Sequence, residues 1–237
     1  MHCLWCDRPF QPEITWRKIC GVQEFETLCH YCRRSFMYIS GEICRICGRM
    51  LELTPAKYVK EDLCLDCIRW EQEEEQNWNH FINRSLFVYN EGMQRFMNQF
   101  KFRGDAKLVE AIKTEWKQFF QTYYHNQLVV PIPLSKERLY ERGFNQSVLL
   151  AQAVSEEVHD ILLRPFHMEK QSKKTREERL KMSKHWFALK KGCKVQDKEI
   201  ILIDDIYTTG TTVRSAAAVL YHHGASRVMS ITLARAI

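Results

Sequence analysis

The stretch Ile200-Ile-Leu-Ile-Asp-Asp-Ile-Tyr-Thr-Thr-Gly-Thr-Thr212 decides the fold of this chain. The run at residues 199–203 predicts a buried strand, which two adjacent carboxylates and a short hydroxyl-rich loop follow. A helix is predicted next, at residues 212–223. This order places the loop at the carboxyl end of a parallel strand, where open α/β sheets bind their ligands.

The loop at residues 208–212 has the chemistry of a phosphate site. Backbone N–H groups and hydroxyls at a helix N-terminus bind a phosphate monoester, and Gly210 lets the backbone approach it closely. Asp204 and Asp205 can accept hydrogen bonds from the vicinal hydroxyls of a sugar whose phosphate the loop holds, or support a divalent ion. The predicted phosphate-binding residues are Thr208, Thr209, Gly210, Thr211 and Thr212.

Strands and helices are predicted to alternate around this stretch. Further strands are expected near residues 87–89, 128–132, 160–163 and 227–234, and further helices near 93–100, 108–123 and 146–158. Such alternation predicts an α/β fold with a parallel sheet that is covered on both faces. The methionines and aromatic residues that recur at helical spacing in this region are interpreted as core residues.

Nine of the ten cysteines lie in the first 67 residues, and eight of these form four Cys-x-x-Cys pairs. Two residues between thiols let one turn direct both sulfurs at a single tetrahedral ion. We expect neither a signal peptide nor membrane insertion, and therefore a cytoplasmic protein whose thiols bind metal instead of forming disulfides. Cys20 and Cys193 have no partner at ligand spacing and are interpreted as free thiols.

The pairing of the thiols leaves alternatives open. Sequential pairing gives one site with a 22-residue gap and a second with a 16-residue gap, the second being typical of zinc ribbons. The alternatives are a vestigial first pair or crossed pairing between the halves, so one or two Zn²⁺ ions are expected. The first predicted site is Cys3, Cys6, Cys29 and Cys32, and the second is Cys44, Cys47, Cys64 and Cys67.

Charge is unevenly distributed along the chain, which has 35 basic and 29 acidic side chains in total. Residues 1–80 are net acidic, whereas residues 164–198 hold 12 Lys and Arg against four Asp and Glu. The basic segment is either a solvated loop or a site for phosphate, pyrophosphate or a nucleic-acid backbone. We predict a zinc-binding module at residues 1–68, a polar helical connector at 69–80 and an α/β domain at 81–237.

The stretch around the two carboxylates resembles the signature by which type I phosphoribosyltransferases bind phosphoribosyl pyrophosphate (PRPP). In that family the two acids hold the ribose hydroxyls and the threonine loop holds the 5-phosphate. The resemblance implies a phosphoribosyltransferase-type fold, Mg²⁺ bound with PRPP, and catalytic roles for Asp204 and Asp205.

Other segments are similar to the ComF family over essentially the whole chain: the cysteine-rich start, Phe100-Lys-Phe-Arg-Gly-Asp105, Val130-Pro-Ile-Pro-Leu134 and Arg142-Gly-Phe-Asn-Gln146. The resemblance implies a pyrophosphate loop at residues 131–135. It also implies a basic loop marked by Gln171, Arg179 and Phe187, in which Met182 replaces the usual Asn. The PRPP-binding residues implied beyond the threonine loop are Pro133, Leu134, Ser135, Arg142 and Arg179.

Two functions follow from this resemblance. The first is transfer of ribose 5-phosphate from PRPP to an unidentified acceptor, in a protein of DNA uptake and natural transformation. The second is a non-catalytic adaptor that senses PRPP or a related phosphosugar and binds single-stranded DNA and competence partners, among them a helicase-like protein. Arginines and aromatic residues near the cysteine pairs suit single-stranded DNA, although the same aromatic residues can form a small core.

Overall fold

The computed structural model describes residues 1–21, 26–72, 81–102, 105–164 and 186–237. Its strands are β1 (Val59–Lys60), β2 (Leu63–Cys64), β3 (Ile82–Val88), β4 (Leu128–Pro131), β5 (Leu162–Leu163), β6 (Ala188–Leu189), β7 (Glu199–Tyr207) and β8 (Arg227–Arg235). Its helices are α1 (Trp16–Ile19), α2 (His30–Arg34), α3 (Leu65–Gln72), α4 (Glu91–Phe102), α5 (Lys113–Tyr123), α6 (Lys136–Arg142), α7 (Gln146–Gln152) and α8 (Thr211–His222). Short 3₁₀ turns occupy Ala56–Tyr58 and Ala106–Ala111.

The central sheet has four parallel strands in the order β3–β8–β7–β4, which confirms the predicted α/β class. Strand β7 lies inside the sheet, and its side chains alternate between two buried faces. Ile201 and Ile203 enter one apolar core, and Ile200 and Leu202 enter the other. This explains the continuous apolar run, because a parallel strand covered on both faces has no solvent side.

Strand β7 is longer than the sequence predicts. The apolar run stops at Ile203, but the ladder to β8 continues through Asp204–Thr232 and Tyr207–Arg235. The backbone pairing, which does not depend on side-chain polarity, keeps the chain extended to Tyr207. Asp204 and Asp205 therefore lie in the last part of strand β7 and not in the loop after it.

Two predicted helices also differ from the structure. Helix α7 ends at Gln152 and not near residue 158, because the chain turns back to the sheet and His159 N–H donates to Val129 O at 2.8 Å. The apolar stripe at residues 108–123 is divided into the 3₁₀ turn Ala106–Ala111 and helix α5. The spacing of the apolar residues does not distinguish a 3₁₀-helix from an α-helix, because in both types residues three positions apart lie on the same face.

The two cysteine-rich units cover opposite faces of the sheet. Cys3, Cys29 and Cys32 join the core that contains α4, α5 and α7, whereas Cys44, Cys47, Cys64 and Cys67 join the core that contains α8. The predicted connector at residues 69–80 overlaps α3 as far as Gln72, and residues 73–80 lie outside the described part of the chain. The proposed division at residues 68 and 81 stays a prediction.

None of the described helices combines the length and the apolar character that crossing a membrane requires.

Candidate functional site: paired carboxylates, a threonine loop and two four-cysteine clusters

The paired carboxylates at the end of β7 are held by two residues that lie far away in the sequence. Lys101, near the end of α4, forms an ion pair with Asp205 at 2.7 Å, with 15% and 13% of the two side chains exposed. Ser147, in the first turn of α7, donates its hydroxyl to Asp204 Oδ1 at 3.0 Å. Asp204 Oδ1 also accepts the N–H of Asp205 at 2.9 Å. Both carboxylates are thus oriented before any ligand arrives.

Burial and the adjacent charge of Asp205 raise the pKa of the Asp204 carboxyl to about 7. The N–H of Asp205, the Lys101 ammonium and the Ser147 hydroxyl oppose this shift, because each of them favours the ionised form. Asp204 therefore changes its charge near neutral pH. A carboxylate of this kind accepts strong, charge-assisted hydrogen bonds from hydroxyl groups when it is ionised and weaker ones when it is protonated at lower pH.

The threonine loop leads directly from β7 into α8. Thr208 and Thr209 are exposed, and Gly210 has a left-handed backbone with φ of +86°. Gly210 provides no side chain to cap α8, while Thr209 Oγ1 and Thr211 Oγ1 hydrogen-bond to each other at 2.8 Å. The 12-residue helix thus presents its positive N-terminal end together with exposed hydroxyls, which is the arrangement that binds a phosphate.

The predicted pyrophosphate loop follows β4 at the same edge of the sheet. Ser135 caps α6 by accepting the N–H of Arg138 at 3.3 Å, and Ile132 N–H donates to Ile203 O at 2.9 Å. Pro133 and Leu134 between them are partly exposed. The structure therefore places residues 133–135 at the same sheet edge as Asp204, beside the end of the neighbouring strand.

The segment after α6 connects this loop to the carboxylates. Arg142 donates to Gln146 Oε1 at 2.9 Å, and Asn145 donates its amide to Ile132 O at 3.0 Å while its Oδ1 caps α7 at Ser147 N–H. One short stretch therefore fixes the loop backbone on one side and Asp204 on the other. Arg142 itself is held by Gln146 and so lies beside the loop.

Part of the predicted basic loop lies outside the described residues. Gln171, Arg179 and Met182 fall in residues 165–185, which are not among the described residues. At the start of the basic segment, Arg164 lies over the rings of Trp186 and Phe187, 5.8 and 5.6 Å from their centroids. Burial and the nearby charge of Arg138 lower the pKa of Arg164, whereas Asp204 raises it. The charges of Arg164 and Asp204 therefore interact favourably.

The eight Cys-x-x-Cys thiols form two groups of four in which the sulfurs lie within 4.8 Å of one another. The first cluster is Cys3, Cys6, Cys29 and Cys32, and the second cluster is Cys44, Cys47, Cys64 and Cys67. The pairing is sequential, so the crossed arrangement left open by the sequence is wrong. Each cluster can hold a metal ion, because four sulfurs at this spacing suit tetrahedral coordination.

The two clusters are built in the same way, a repeat that the sequence shows only through its cysteines. Asp7 and Gly48, each directly after a second thiol, both have positive φ, and each donates its N–H at 2.9 Å to the carbonyl of the first cysteine of its pair. The other two thiols of each cluster lie at the start of a helix, α2 or α3. A knuckle and a helix N-terminus thus form each cluster.

The second cluster is buried against the end of β8. Cys44, Cys47 and Cys64 are 0% exposed, and the Arg235 guanidinium donates to Cys47 Sγ at 3.4 Å. The hydrogen bonds from Cys44 and its other thiol neighbours lower the pKa of Cys47, and Arg235 lowers it further. A thiolate is the ligand form of cysteine, so this environment fits a metal-bound group.

Several residues of the site were not predicted from the sequence. Lys101 lies inside a stretch quoted for the family resemblance, and Asn145 lies inside another, so signals for both were present. No sequence pattern predicts the roles of Ser147, Trp70 and Arg235, because each of them donates a hydrogen bond to a residue at least 27 positions away in the chain. Trp70 donates to Thr209 O at 3.0 Å, and Arg235 donates to Thr208 O at 2.8 Å.

Comparison with known proteins finds relatives that match this chain along most of its length. The chain is 40% identical to "Competence protein ComFC" of Bacillus subtilis (strain 168) over 236 residues, which cover 98% of this chain and 94% of the relative. It is 34% identical over 236 residues to the protein of the same name from Streptococcus pneumoniae (strain ATCC BAA-255 / R6), with coverage of 99% and 100%. "DNA utilization protein YhgH" of Escherichia coli (strain K12) is 25% identical, with coverage of 89% and 97%.

The carboxyl-terminal part matches a domain family. Residues 145–237 match the family described as "Phosphoribosyl transferase domain". A crystal structure of a hypoxanthine phosphoribosyltransferase from Staphylococcus aureus aligns with 55% of this chain and 64% of its own, at a TM-score of 0.32 and 16% identity. The matched segment contains Ser147, both carboxylates and the whole loop at residues 208–212.

Proposed function

This chain belongs to the ComFC family of competence proteins, and on that premise we propose that it acts in DNA uptake during natural transformation as a PRPP-binding protein. The observation that supports the proposal is the placement of two oriented carboxylates at the end of one strand, close to a helix N-terminus whose chemistry suits a phosphate. A phosphorylated ribose has vicinal hydroxyls, which the carboxylates would bind, and a phosphate, which the helix N-terminus would bind. The family match at residues 145–237 supports the same ligand class.

In the proposed complex each part of PRPP has its own protein partner. Asp204 and Asp205 accept hydrogen bonds from the ribose hydroxyls, and residues 208–212 hold the 5-phosphate. Residues 133–135 and Arg142 would contact the pyrophosphate, and Arg179 belongs to the basic loop expected to cover it. Mg²⁺ bound with the pyrophosphate would offset its charge.

Transfer of the ribose 5-phosphate is an extension of this proposal, with the acceptor unidentified. Leaving of pyrophosphate would develop positive charge on the ribose ring, and the carboxylates of Asp204 and Asp205 would stabilise that charge electrostatically. Mg²⁺ would supply charge neutralisation of the leaving group. Such a reaction needs no nucleophilic side chain, so binding and turnover have to be measured separately.

We propose Zn²⁺ for the two cysteine clusters, because four thiolates in tetrahedral geometry favour it. The Zn²⁺ ions would hold each knuckle against its helix and so maintain segments that bury little apolar surface of their own. Eight of the ten cysteines belong to these clusters, where they would bind metal as thiolates. Thiols persist in a reducing compartment, and we therefore place the protein in the cytoplasm.

A second candidate function, an adaptor for single-stranded DNA, is favoured by a groove beside the first cluster. The groove has a volume of about 660 Å³ and is lined by Trp5, Tyr31, Arg8 and Arg95. Tyr31 is 78% exposed, as a base-stacking side chain must be. In this role the protein would pass single-stranded DNA to competence partners, for which the family resemblance implies a helicase-like protein.

The test of the proposed function is calorimetric titration of Mg²⁺–PRPP into the metal-loaded full chain and into the Asp204→Asn/Asp205→Asn protein. We expect binding by the unmodified protein and a loss of at least a hundredfold in affinity in the double variant, because two charge-assisted hydrogen-bond acceptors are removed. Pyrophosphate release with candidate acceptors then measures turnover.

Asp160→Asn is the matched control for this titration. Asp160 forms a Lys–Asp pair with Lys190 at 2.6 Å, close in length to the pair of Lys101 with Asp205, but 65% of its side chain is exposed. Its replacement should leave the affinity unchanged. Absence of PRPP binding in the unmodified protein, or equal affinity in the double variant, would refute the proposed function and, of the adaptor's two activities, would leave only the binding of single-stranded DNA.

A further inference from the structure

The second cysteine cluster contacts the threonine loop through a single buried arginine. Arg235 is 2% exposed and donates through one nitrogen to Cys47 Sγ at 3.4 Å. Its other terminal nitrogen donates to Thr208 O at 2.8 Å and to Tyr207 O at 3.2 Å. One rigid guanidinium therefore connects a cluster sulfur to the backbone of the loop.

A second buried arginine makes a parallel connection. Arg214, in the first turns of α8, lies 3.9 Å from Cys67 Sγ and donates to the Tyr207 hydroxyl at 3.4 Å. Tyr207 in turn fills the space beside Gly210, where an added Cβ would lie 2.1 Å from its hydroxyl. The cluster thus reaches the loop along a chain of contacts through Arg214 and Tyr207.

The third connection comes from the helix that carries Cys67. Trp70 lies one turn further along α3 and donates its indole N–H to Thr209 O at 3.0 Å. Its ring also lies 5.1 Å from the Arg214 guanidinium. Because α3 begins at the second cluster, movement of the cluster would move this hydrogen bond directly.

The first cluster has different surroundings. Its knuckle packs through Trp5 on Phe36 and Phe96, with centroid distances of 5.3 and 5.5 Å. Within the described residues no hydrogen bond or ring contact of this cluster reaches residues 208–212. The two clusters therefore differ in their relation to the loop, although they are built alike.

The contacts of the second cluster depend on where its sulfurs are held. The four sulfurs come from two segments, the knuckle and the start of α3, and a tetrahedral ion would join these segments. Arg235 contacts the knuckle through Cys47, whereas Arg214 and Trp70 contact α3 or lie on it. Without the ion the two segments would be free to separate, and the hydrogen bonds that hold the loop carbonyls would weaken.

We infer that metal in the second cluster positions the threonine loop through Arg235, Arg214 and Trp70, so that occupancy of this cluster controls the affinity for the phosphosugar. The inference rests on the proposed function, because it concerns regulation of the same site. Coupling between two ligands is reciprocal. PRPP must therefore raise the affinity of the second cluster for its metal by the factor by which the metal raises the affinity for PRPP.

The test measures metal affinity by competition with a chromogenic chelator, with and without saturating Mg²⁺–PRPP. It uses the full chain carrying Cys6→Ser, which removes an exposed ligand of the first cluster and leaves the second as the tight site. We expect PRPP to tighten metal binding at least fivefold, the lower end of usual coupling factors. Because pyrophosphate itself binds Zn²⁺, the same titration on protein that also carries Asp204→Asn/Asp205→Asn corrects for that direct effect.

A milder variant tests the connection without removing a buried charge. Trp70→Phe keeps an aromatic ring and removes only the N–H donor to Thr209, so it should fold and bind two metal ions. We expect PRPP affinity to fall about threefold to tenfold, as for loss of one hydrogen bond. Trp16→Phe, at a position 80% exposed in the first unit, is the control and should leave the affinity unchanged.

The outcomes separate this inference from the proposed function. If calorimetry detects PRPP binding but the metal affinity of the second cluster changes less than twofold, the inference is wrong and the proposed function stands. An equal shift of the first cluster, measured in protein with both clusters intact, would show general stabilisation and also overturn the inference. If PRPP does not bind to the unmodified protein, the proposed function fails and the inference falls with it.

Discussion

Replacing Gly210 with alanine tests how the threonine loop is held. Gly210 has φ of +86°, and an added Cβ would lie 2.1 Å from Tyr207 Oη and 2.5 Å from Tyr207 Cζ. Tyr207 is 2% exposed, and the Arg235 guanidinium lies 4.6 Å from its ring centroid. The tyrosine therefore has no free space to move into, and either the ring or the loop must shift.

Two energies contribute to the expected loss of stability. Alanine in a left-handed backbone costs about 1–2 kcal/mol. Overpacking against a buried side chain adds about 1–3 kcal/mol, for a total of about 2–5 kcal/mol. For a chain of this length each kcal/mol lowers the Tm by about 2–4 °C, so Gly210→Ala should lower the Tm by about 4–20 °C.

Gly192→Ala is a matched control for the backbone cost. Gly192 has φ of +85°, and its added Cβ would meet no atom within 4 Å. Only the backbone penalty of about 1–2 kcal/mol applies there. The difference in the free energy of unfolding between the two variants therefore isolates the contact with Tyr207.

The assay is urea unfolding of the metal-loaded proteins, followed by PRPP titration at a temperature at which all of them are folded. Gly210→Ala should be the less stable variant by at least 1 kcal/mol, the low end of the overpacking cost, and should bind PRPP at least about tenfold more weakly. Equal destabilisation by the two alanines, or unchanged PRPP affinity in Gly210→Ala, would refute the view that Tyr207 and Gly210 together shape the loop.

Two further predictions concern pH and metal. With the pKa of Asp204 raised to about 7, PRPP affinity should fall by up to about tenfold between pH 8 and pH 6, because the ionised carboxylate accepts hydrogen bonds from the ribose hydroxyls more strongly than the protonated group does. The pKa of Asp204 in the folded protein lies above its ordinary value of 3.8, so protonation of this group should raise the free energy of unfolding as the pH falls from about 7 to about 4. Asp204→Asn should remove the contribution of this group to the pH dependence of PRPP affinity, measured by calorimetry, and of stability, measured by thermal unfolding. The purified protein should contain two zinc ions per chain, and a strong chelator should remove them and abolish hydrogen-exchange protection in residues 1–21 and 26–67. Zinc content near zero in protein purified under reducing conditions would contradict the second of these.

The end of strand β7 could not be predicted from the apolar pattern of the sequence. The apolar run correctly predicted a buried parallel strand, but the strand does not end where the run ends. Hydrogen bonds to β8 continue past Ile203 and hold Asp204 and Asp205 in extended backbone. The carboxylates are therefore aimed by the pleat of the strand, which fixes their directions more firmly than a loop would.

For the cysteines, too, the local arrangement could be predicted from the sequence and the long-range arrangement could not. Each Cys-x-x-Cys pair predicts a local turn, and all four pairs take part in four-sulfur clusters. Which pairs share an ion depends on how the chain folds between them, so the sequence left crossed pairing open. The location of the second cluster beneath the threonine loop had no signal, since Cys47 and Arg235 are 188 residues apart.

The sequence by itself determined the chemistry of the site: adjacent carboxylates, a hydroxyl-rich loop before a helix, and thiols at metal-ligand spacing. These features are local, because neighbouring residues share one strand, turn or helix end. Only the tertiary structure decided that Lys101 and Ser147 orient the carboxylates and that Arg235, Arg214 and Trp70 join the loop to the second cluster. Those contacts are pairings of individual polar side chains from distant elements, and such pairings, unlike the packing of apolar faces, leave no periodic pattern in the sequence.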